Sequence, residues 1–251
     1  LKVLDLFSGI GGFSLGLERA GMETVAFCEN DKKARQVLKK NWPGVPIYSD
    51  VRRVGEYEFK KYAIELISAG FPCPAFSMSG VRGGFEQDDL FFEIVRLTKE
   101  LQPKWVILEN VEGFRKWRRE AIKAFKGIDY ELEDGIFDAR DFGIPQARRR
   151  WFAVCVRRGV LSDPQHLWRF QGIKTKNLHE LFTHLKDPKG RWTPTVRTKE
   201  EWRAIAVNAR ASRDHHGISG RVDRLKQLGN AVVPQVVEII GRAIMEADRV
   251  F

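Results

Sequence analysis

The chain has 251 residues, 43% of them hydrophobic and 30% charged, enough for one large domain or for one domain carrying a small second lobe. Its 43 Lys+Arg against 33 Asp+Glu leave a formal net charge of +10, an excess that points toward a polyanionic partner. Three widely separated cysteines, Cys28, Cys73 and Cys155, exclude a disulfide scaffold and a Cys-x-x-Cys zinc site, and no apolar run approaches the roughly 18 residues of a membrane span.

The first 155 residues alternate short apolar runs with amphipathic stretches. Residues 2–7 predict a buried strand, followed by a Gly-rich turn and a helix to about Ala20. A second strand is predicted over 23–29 and a helix over 32–41, then a short third strand over 46–50. A fourth strand over 64–70, a helix over 90–101, a fifth strand over 104–109 and a helix ending near Phe125 follow. Residues 131–137 and 151–156 predict two more strands. Strands that alternate with helices imply an α/β fold, a mostly parallel doubly wound sheet covered on both faces. Ligands in such sheets bind beyond the carboxyl ends of the strands, where Phe7, Glu29, Asp50, Cys73 and Glu109 all fall.

From Cys155 to Arg224 the periodicity breaks down. This stretch holds 15 Lys+Arg against 7 Asp+Glu, a net +8, with all five histidines and three of the seven tryptophans. A helix is predicted again from Pro234 to Asp248. The expected organisation is a catalytic and cofactor-binding domain over 1–156, a small irregular basic region over 157–221, and a C-terminal segment, 222–251, returning to the first domain. No signal-peptide pattern is visible, and the start at Leu1 rather than Met suggests a lost initiator or short leader; a reducing, soluble compartment is expected.

Asp5-Leu6-Phe7-Ser8-Gly9-Ile10-Gly11-Gly12-Phe13 forms a strand, a glycine turn and a helix start. Glycines there let the backbone bend tightly and approach a ligand closely. Ser14 stands where the third glycine of the dinucleotide pattern belongs, and no Gly-Lys-Ser/Thr marks a P-loop. Glu29 ends the second strand, suited to a ribose diol, and Asp50 ends the third, suited to an adenine amino group. Two carboxylates and no basic cradle fit an adenosine-bearing cofactor without phosphates, such as S-adenosylmethionine.

Gly70-Phe71-Pro72-Cys73-Pro74 follows the fourth strand. Cys28 and Cys155 lie inside apolar strands, as buried cysteines usually do. Cys73 sits between prolines that stiffen its loop. Glu109-Asn110-Val111 ends the neighbouring fifth strand, so a nucleophile and an acid converge over one pocket.

These segments, followed by Gln146-Ala147-Arg148-Arg149-Arg150 and Gly229-Asn230-Ala231-Val232, occur in the order that marks the DNA (cytosine-5) methyltransferases, and the chain resembles the compact bacterial or phage members over some 180 residues. The resemblance implies methyl transfer from S-adenosylmethionine to cytosine C5 in double-stranded DNA, through a covalent Cys–C6 adduct on a flipped-out base. It makes Cys73 the nucleophile, places Glu109 on N3 and the exocyclic amine, Arg150 on the cytosine O2, and Arg148 in support of the same region. It assigns the cofactor to Phe7, Ser8, Gly9, Gly11, Gly12, Glu29, Asn30, Asp50, Val51, Pro72, Asn230 and Ala231. Ser77 and Arg82, in a Gly-rich loop resembling the family's mobile loop, and Arg191, Arg197 and Lys199 in the basic region are the expected DNA contacts. A cytoplasmic setting in a bacterial or phage-infected cell, a monomer, no metal and a cognate restriction enzyme as partner complete the expectation.

The chain departs from the family at three places. Pro74 stands where most members carry Gln or Asn, Gln87-Asp88-Asp89 replaces an Asp-x-Arg-Gly, and the stretch between Arg150 and Gly229 is short for a target-recognition domain. His215-His216 has no acidic or Cys partners nearby in sequence and reads as a solvent-facing pair. Alternative readings are a tRNA cytosine methyltransferase, whose Cys-Phe-Thr signature is absent, and a catalytically silent DNA-binding homologue, against which Cys73 and Glu109 both stand.

Overall fold

A computed structural model of the chain describes residues 1–72, 89–142, 147–160, 169–170, 173–174 and 231–250. Its centre is a seven-stranded sheet of β1 (Lys2–Leu6), β2 (Glu23–Cys28), β3 (Ile47–Tyr48), β4 (Leu66–Gly70), β5 (Trp105–Val111), β6 (Tyr130–Asp138) and β7 (Arg149–Arg157). The spatial order is β3-β2-β1-β4-β5-β7-β6. β7 runs antiparallel to both of its neighbours, and all other pairings are parallel. The chain moves outward from β1 through β2 to β3, then returns to β4 on the other side of β1. The carboxyl ends of β1 and β4 therefore flank the topological switch point, where open α/β sheets bind ligands.

Alternation along the strands divides the core. Val3, Leu66, Trp105, Ile107, Phe152 and Val154 face one layer, which holds α1 (Gly12–Arg19) and the C-terminal helix α6 (Pro234–Val250). Leu4, Leu6, Ile67, Val106 and Leu108 face the opposite layer, with α4 (Asp89–Leu101) and α5 (Arg118–Lys126). Burying both faces explains why these strands are continuously apolar rather than alternating. α2 (Lys32–Asn41) starts on Asp31, whose carboxylate accepts the N–H groups of Lys33 at 2.7 Å and Ala34 at 2.9 Å. It buries only Ala34 and Leu38.

The predicted doubly wound α/β architecture matches this sheet, with differences at the edges. β3 is two residues long rather than five, because the chain turns at Asp50, whose carboxylate caps the 3₁₀ turn that follows. A short helix α3 (Glu56–Phe59) and two 3₁₀ turns fill the stretch before β4; the local pattern there is too brief to predict them. β8 (Arg169–Phe170) and β9 (Ile173–Lys174) form a small separate antiparallel pair in the basic stretch.

α6 closes the first layer by lying directly on α1. A Cβ added to Gly16 would come 2.5 Å from the Pro234 carbonyl oxygen and 2.7 Å from the Val237 Cβ. At the far end of α6, Asp248 accepts the Trp105 indole N–H at 3.2 Å and lies 3.3 Å from the Lys104 ammonium. Gly16→Ala is therefore expected to destabilise the fold by about 1–3 kcal/mol, as overpacking does when backbone must move. Urea unfolding would check this, and an unchanged midpoint would show that the helices separate freely.

Candidate active site

The glycine turn after β1 is held from below and from the side. Below it, Asp5 is fully buried and accepts the hydroxyls of Ser14 at 2.8 Å and Ser68 at 2.9 Å, tying β1, α1 and β4 together. Burial pushes the Asp5 carboxyl up to about 7, against the lowering effect of the two serine hydroxyls. The sequence reading missed this role, although a lone carboxylate in an apolar strand, with Ser68 on the paired strand, is a signal for it. Ser8 turns its hydroxyl toward the Asp5 carbonyl oxygen, at 2.6 Å. From the side, Glu29 accepts the Gly9 N–H on one carboxylate oxygen and the Asp31 N–H on the other, both at 2.7 Å.

Phe7, between β1 and this turn, is a non-glycine residue with φ 53°, a conformation that costs energy and persists only where the surroundings impose it. An added Cβ at Gly9 would meet nothing within 4 Å, so the turn borders open space. Asp50 is half-buried and accepts the Arg52 N–H at 3.0 Å, capping a 3₁₀ turn that begins at the buried Val51. The exposed Asn30 offers its carbonyl oxygen to Arg35 at 2.7 Å. The first turn of α1 carries no Lys or Arg.

The second half of the site lies at the ends of β4 and β5. Gly70 pairs in register with Glu109. Glu109 is buried, and its carboxylate lies 3.1 Å from the Arg150 guanidinium at the start of β7. Burial pushes this carboxyl up to about 7, outweighing the opposing pull of Arg150 and then Arg148. A carboxyl that is half protonated near neutrality can donate a proton. Asn110, whose role the sequence left unassigned, donates from its side-chain nitrogen to the Phe71 carbonyl at 3.1 Å and so fixes the segment leading to Cys73. Phe71 packs edge-on against Phe114 at 5.1 Å, and Phe114 packs at a tilt against Trp151 at 4.9 Å.

Arg148 lies near enough to Glu109 for its charge to oppose the rise of that carboxyl. It is buried and donates to the Ala231 carbonyl at 2.8 Å, so it holds the returning C-terminal segment. Val232 in that segment sits on the glycine turn: its carbonyl oxygen would lie 2.5 Å from a Cβ on Gly12. The turn, the β4 end, Arg148 and residues 231–232 are thus one packed unit.

Cys73, Ser77, Arg82, Arg191, Arg197, Lys199 and Asn230 lie outside the described residues, as do Pro74, Gln87, Asp88 and the His215-His216 pair. The other two cysteines are described. Cys28 is buried and its thiol is pushed up to about 12, by burial and then by Glu29 and Asp50; burial raises the Cys155 thiol well above its ordinary value. Neither supplies a thiolate near neutral pH. Among the described residues no cluster of His, Cys, Asp or Glu is arranged to hold a metal ion, and no helix is long and apolar enough to cross a membrane.

Known proteins resemble this chain. Type II methyltransferase M.HhaI of Haemophilus parahaemolyticus is 36% identical over 194 residues, covering 74% of this chain and 56% of that protein. Type II methyltransferase M.HindV of Haemophilus influenzae is 40% identical over 160 residues, 61% of this chain and 52% of that protein. A DNA modification methyltransferase encoded within an E. coli prophage superposes with a TM-score of 0.56 at 31% identity, covering 67% of this chain and 50% of that one. The S. pombe Dnmt2 methyltransferase, 23% identical with a TM-score of 0.56, covers 70% of this chain and 57% of that one, and shares the fold. The chain spans about half the length of the curated relatives it matches. The family model for C-5 cytosine-specific DNA methylase matches residues 1–219, most of the chain, and the chain belongs to that family.

Proposed function

We propose that the chain transfers a methyl group from S-adenosylmethionine to C5 of cytosine in double-stranded DNA. The observation that carries this reading is Glu109, buried at the end of β5 against Arg150 and one strand from the segment leading to Cys73. In this reading residues 1–156 and 222–251 make the catalytic unit, and 157–221 the region that recognises the target.

The residues fit the cofactor. Glu29 and Asp50 stand at successive strand ends beside an open-sided glycine turn, and no cation stands in the first turn of α1 to hold a phosphate. Phe7 would lie against the adenine, Glu29 hold the ribose, and Asp50 with the Val51 main chain the adenine edge. The turn from Ser8 to Gly12 with Asn30, Pro72, Asn230 and Ala231 would close the pocket. When bound, the sulfonium supplies an electrophilic methyl.

The chain's own groups prepare the base to accept it. The Cys73 thiolate adds to C6, and the electron pair displaced from the C5–C6 bond is stabilised as Glu109 protonates N3. Arg150 holds the O2 side of the ring and keeps Glu109 in place. C5, now enamine-like, takes the methyl. Loss of the C5 proton to water then re-forms the double bond and expels the thiolate, and N3 returns its proton to Glu109, releasing 5-methylcytosine. The base reaches this site only by leaving the duplex.

Incubation with methyl-labelled S-adenosylmethionine and duplex DNA, with tRNA as the parallel substrate, tests the reading. Label in DNA as 5-methylcytosine supports it; label in tRNA alone, or in neither, overturns it. Phe7→Ala and Glu29→Ala are each expected to weaken S-adenosylmethionine binding by roughly ten- to a hundredfold, the usual cost of a lost buried contact. Calorimetry giving wild-type affinity for both would mean that the pocket lies elsewhere.

A further inference from the structure

The crossover from β5 to α5 carries a concentration of positive charge that the reaction does not use. Between Glu112 and Lys126 the sequence holds six cations, Arg115, Lys116, Arg118, Arg119, Lys123 and Lys126, against the two acids Glu112 and Glu120. Some of this charge is committed within the fold. Arg118 pairs with Asp134, which also accepts the Trp151 indole N–H at 2.8 Å. Glu112 pairs with Arg149 at 2.8 Å. Arg115, Lys116, Arg119, Lys123 and Lys126 are exposed, Lys116 with its ammonium 4.8 Å from the centre of the Trp117 ring, and Glu120 is the segment's other acid.

Position separates this cluster from an ordinary solvated face. The 3₁₀ turn Glu112–Trp117 begins directly after β5, three residues beyond Glu109 and at the same edge of the sheet. It is fixed there by Phe114, which is fully buried and packs against both Phe71 and Trp151. The same ring thus anchors the segment leading to Cys73 on one side and presents Arg115 and Lys116 outward on the other. α5 then carries Arg119 on from that edge. Exposed cations on a segment anchored by Phe114, at the sheet edge that holds Glu109, are matched to phosphodiester oxygens.

We propose that Arg115, Lys116 and Arg119 form a DNA-backbone contact beside the flipped cytosine, separate in sequence from the basic region 157–221. The proposal rests on the reading of the chain as a DNA methyltransferase. Its role is to hold the duplex in register while the base is extruded, a contact that gives affinity without sequence preference.

The test compares the wild-type chain with the triple variant Arg115→Gln, Lys116→Gln, Arg119→Gln on duplex DNA over a range of salt concentrations. Each phosphate contact contributes about 0.9 to the slope of log K against log salt. The triple variant should therefore flatten that slope by up to about 2.7, weaken binding at low salt, and keep its thermal midpoint, cofactor affinity and sequence preference. The pair Arg115→Lys, Arg119→Lys, which keeps the charge, should keep the slope. Should the triple variant lose its thermal midpoint, the three single variants decide, each expected to flatten the slope by about 0.9. An unchanged slope in folded variants overturns the proposal, whether or not the wild type methylates. Absence of methyl transfer with normal slope changes would overturn the proposed reaction and leave the contact standing. A wild type that does not bind duplex at all overturns both.

Discussion

Cys73→Ser is expected to lower methyl transfer by about 10³-fold or more, the scale on which removal of a nucleophile acts, with S-adenosylmethionine affinity unchanged. Of three cysteines, Cys28 and Cys155 are buried, with thiols held far from ionisation at neutral pH. The segment before Cys73, in contrast, is held in place by the Asn110 bond to Phe71 and by the ring of Phe114. A serine hydroxyl remains un-ionised near neutrality and adds poorly to a pyrimidine C6. Duplex containing 5-fluorocytosine should trap a covalent adduct with the wild type and none with the variant, because fluorine cannot leave as the C5 proton does. A serine variant that turns over normally would remove Cys73 from the mechanism; an adduct mapped to Cys28 or Cys155 would reassign it.

Much of this site is legible in the sequence because it is built from local signals. A strand, a glycine turn and a helix start occur within nine residues, and Glu29, Asp50 and Glu109 each follow an apolar run, so their shared edge follows from topology alone. The parts that escaped are those fixed by contacts distant in sequence. Asp5 acquires its role only when β1 and β4 lie in register and Ser68 stands beside it, 63 residues on. Arg148 also donates to the Ala231 carbonyl, 83 residues away, a contact defined only once α6 returns to α1. β3 is shorter than its apolar residues predict because Asp50 caps a 3₁₀ turn directly after it. The cationic crossover after β5 lies in a stretch the sequence assigns only to a helix, and the sheet sets its start at the same edge as Glu109.

Glu109→Gln is expected to slow transfer by about 10²–10⁴-fold, the usual contribution of a general acid. The amide can still hydrogen-bond to N3, but it has no proton to give. The pH profile separates this role from mere packing. In the folded chain burial raises the Glu109 carboxyl from 4.5 to about 7, so the proton is present below about pH 7 and lost above it. The wild-type rate should therefore fall on the alkaline side of about pH 7, while the need for the Cys73 thiolate limits it on the acid side. In the Gln variant the alkaline limb near 7 should vanish and the thiolate limb persist. Stability should shift in a related direction. A carboxyl whose folded value lies above its unfolded one binds more protons when folded, so its contribution is fully present below about 4.5 and is lost as pH rises toward about 7. Asp5, raised from 3.8 to about 7, acts with the same sign. Glu109→Gln should consequently remove only part of the wild-type decline in unfolding free energy between pH 4.5 and 7, leaving the Asp5 share. Urea titrations across that window measure it. A variant that keeps both the alkaline rate limb and the full stability decline would show that the group titrating near 7 is not Glu109.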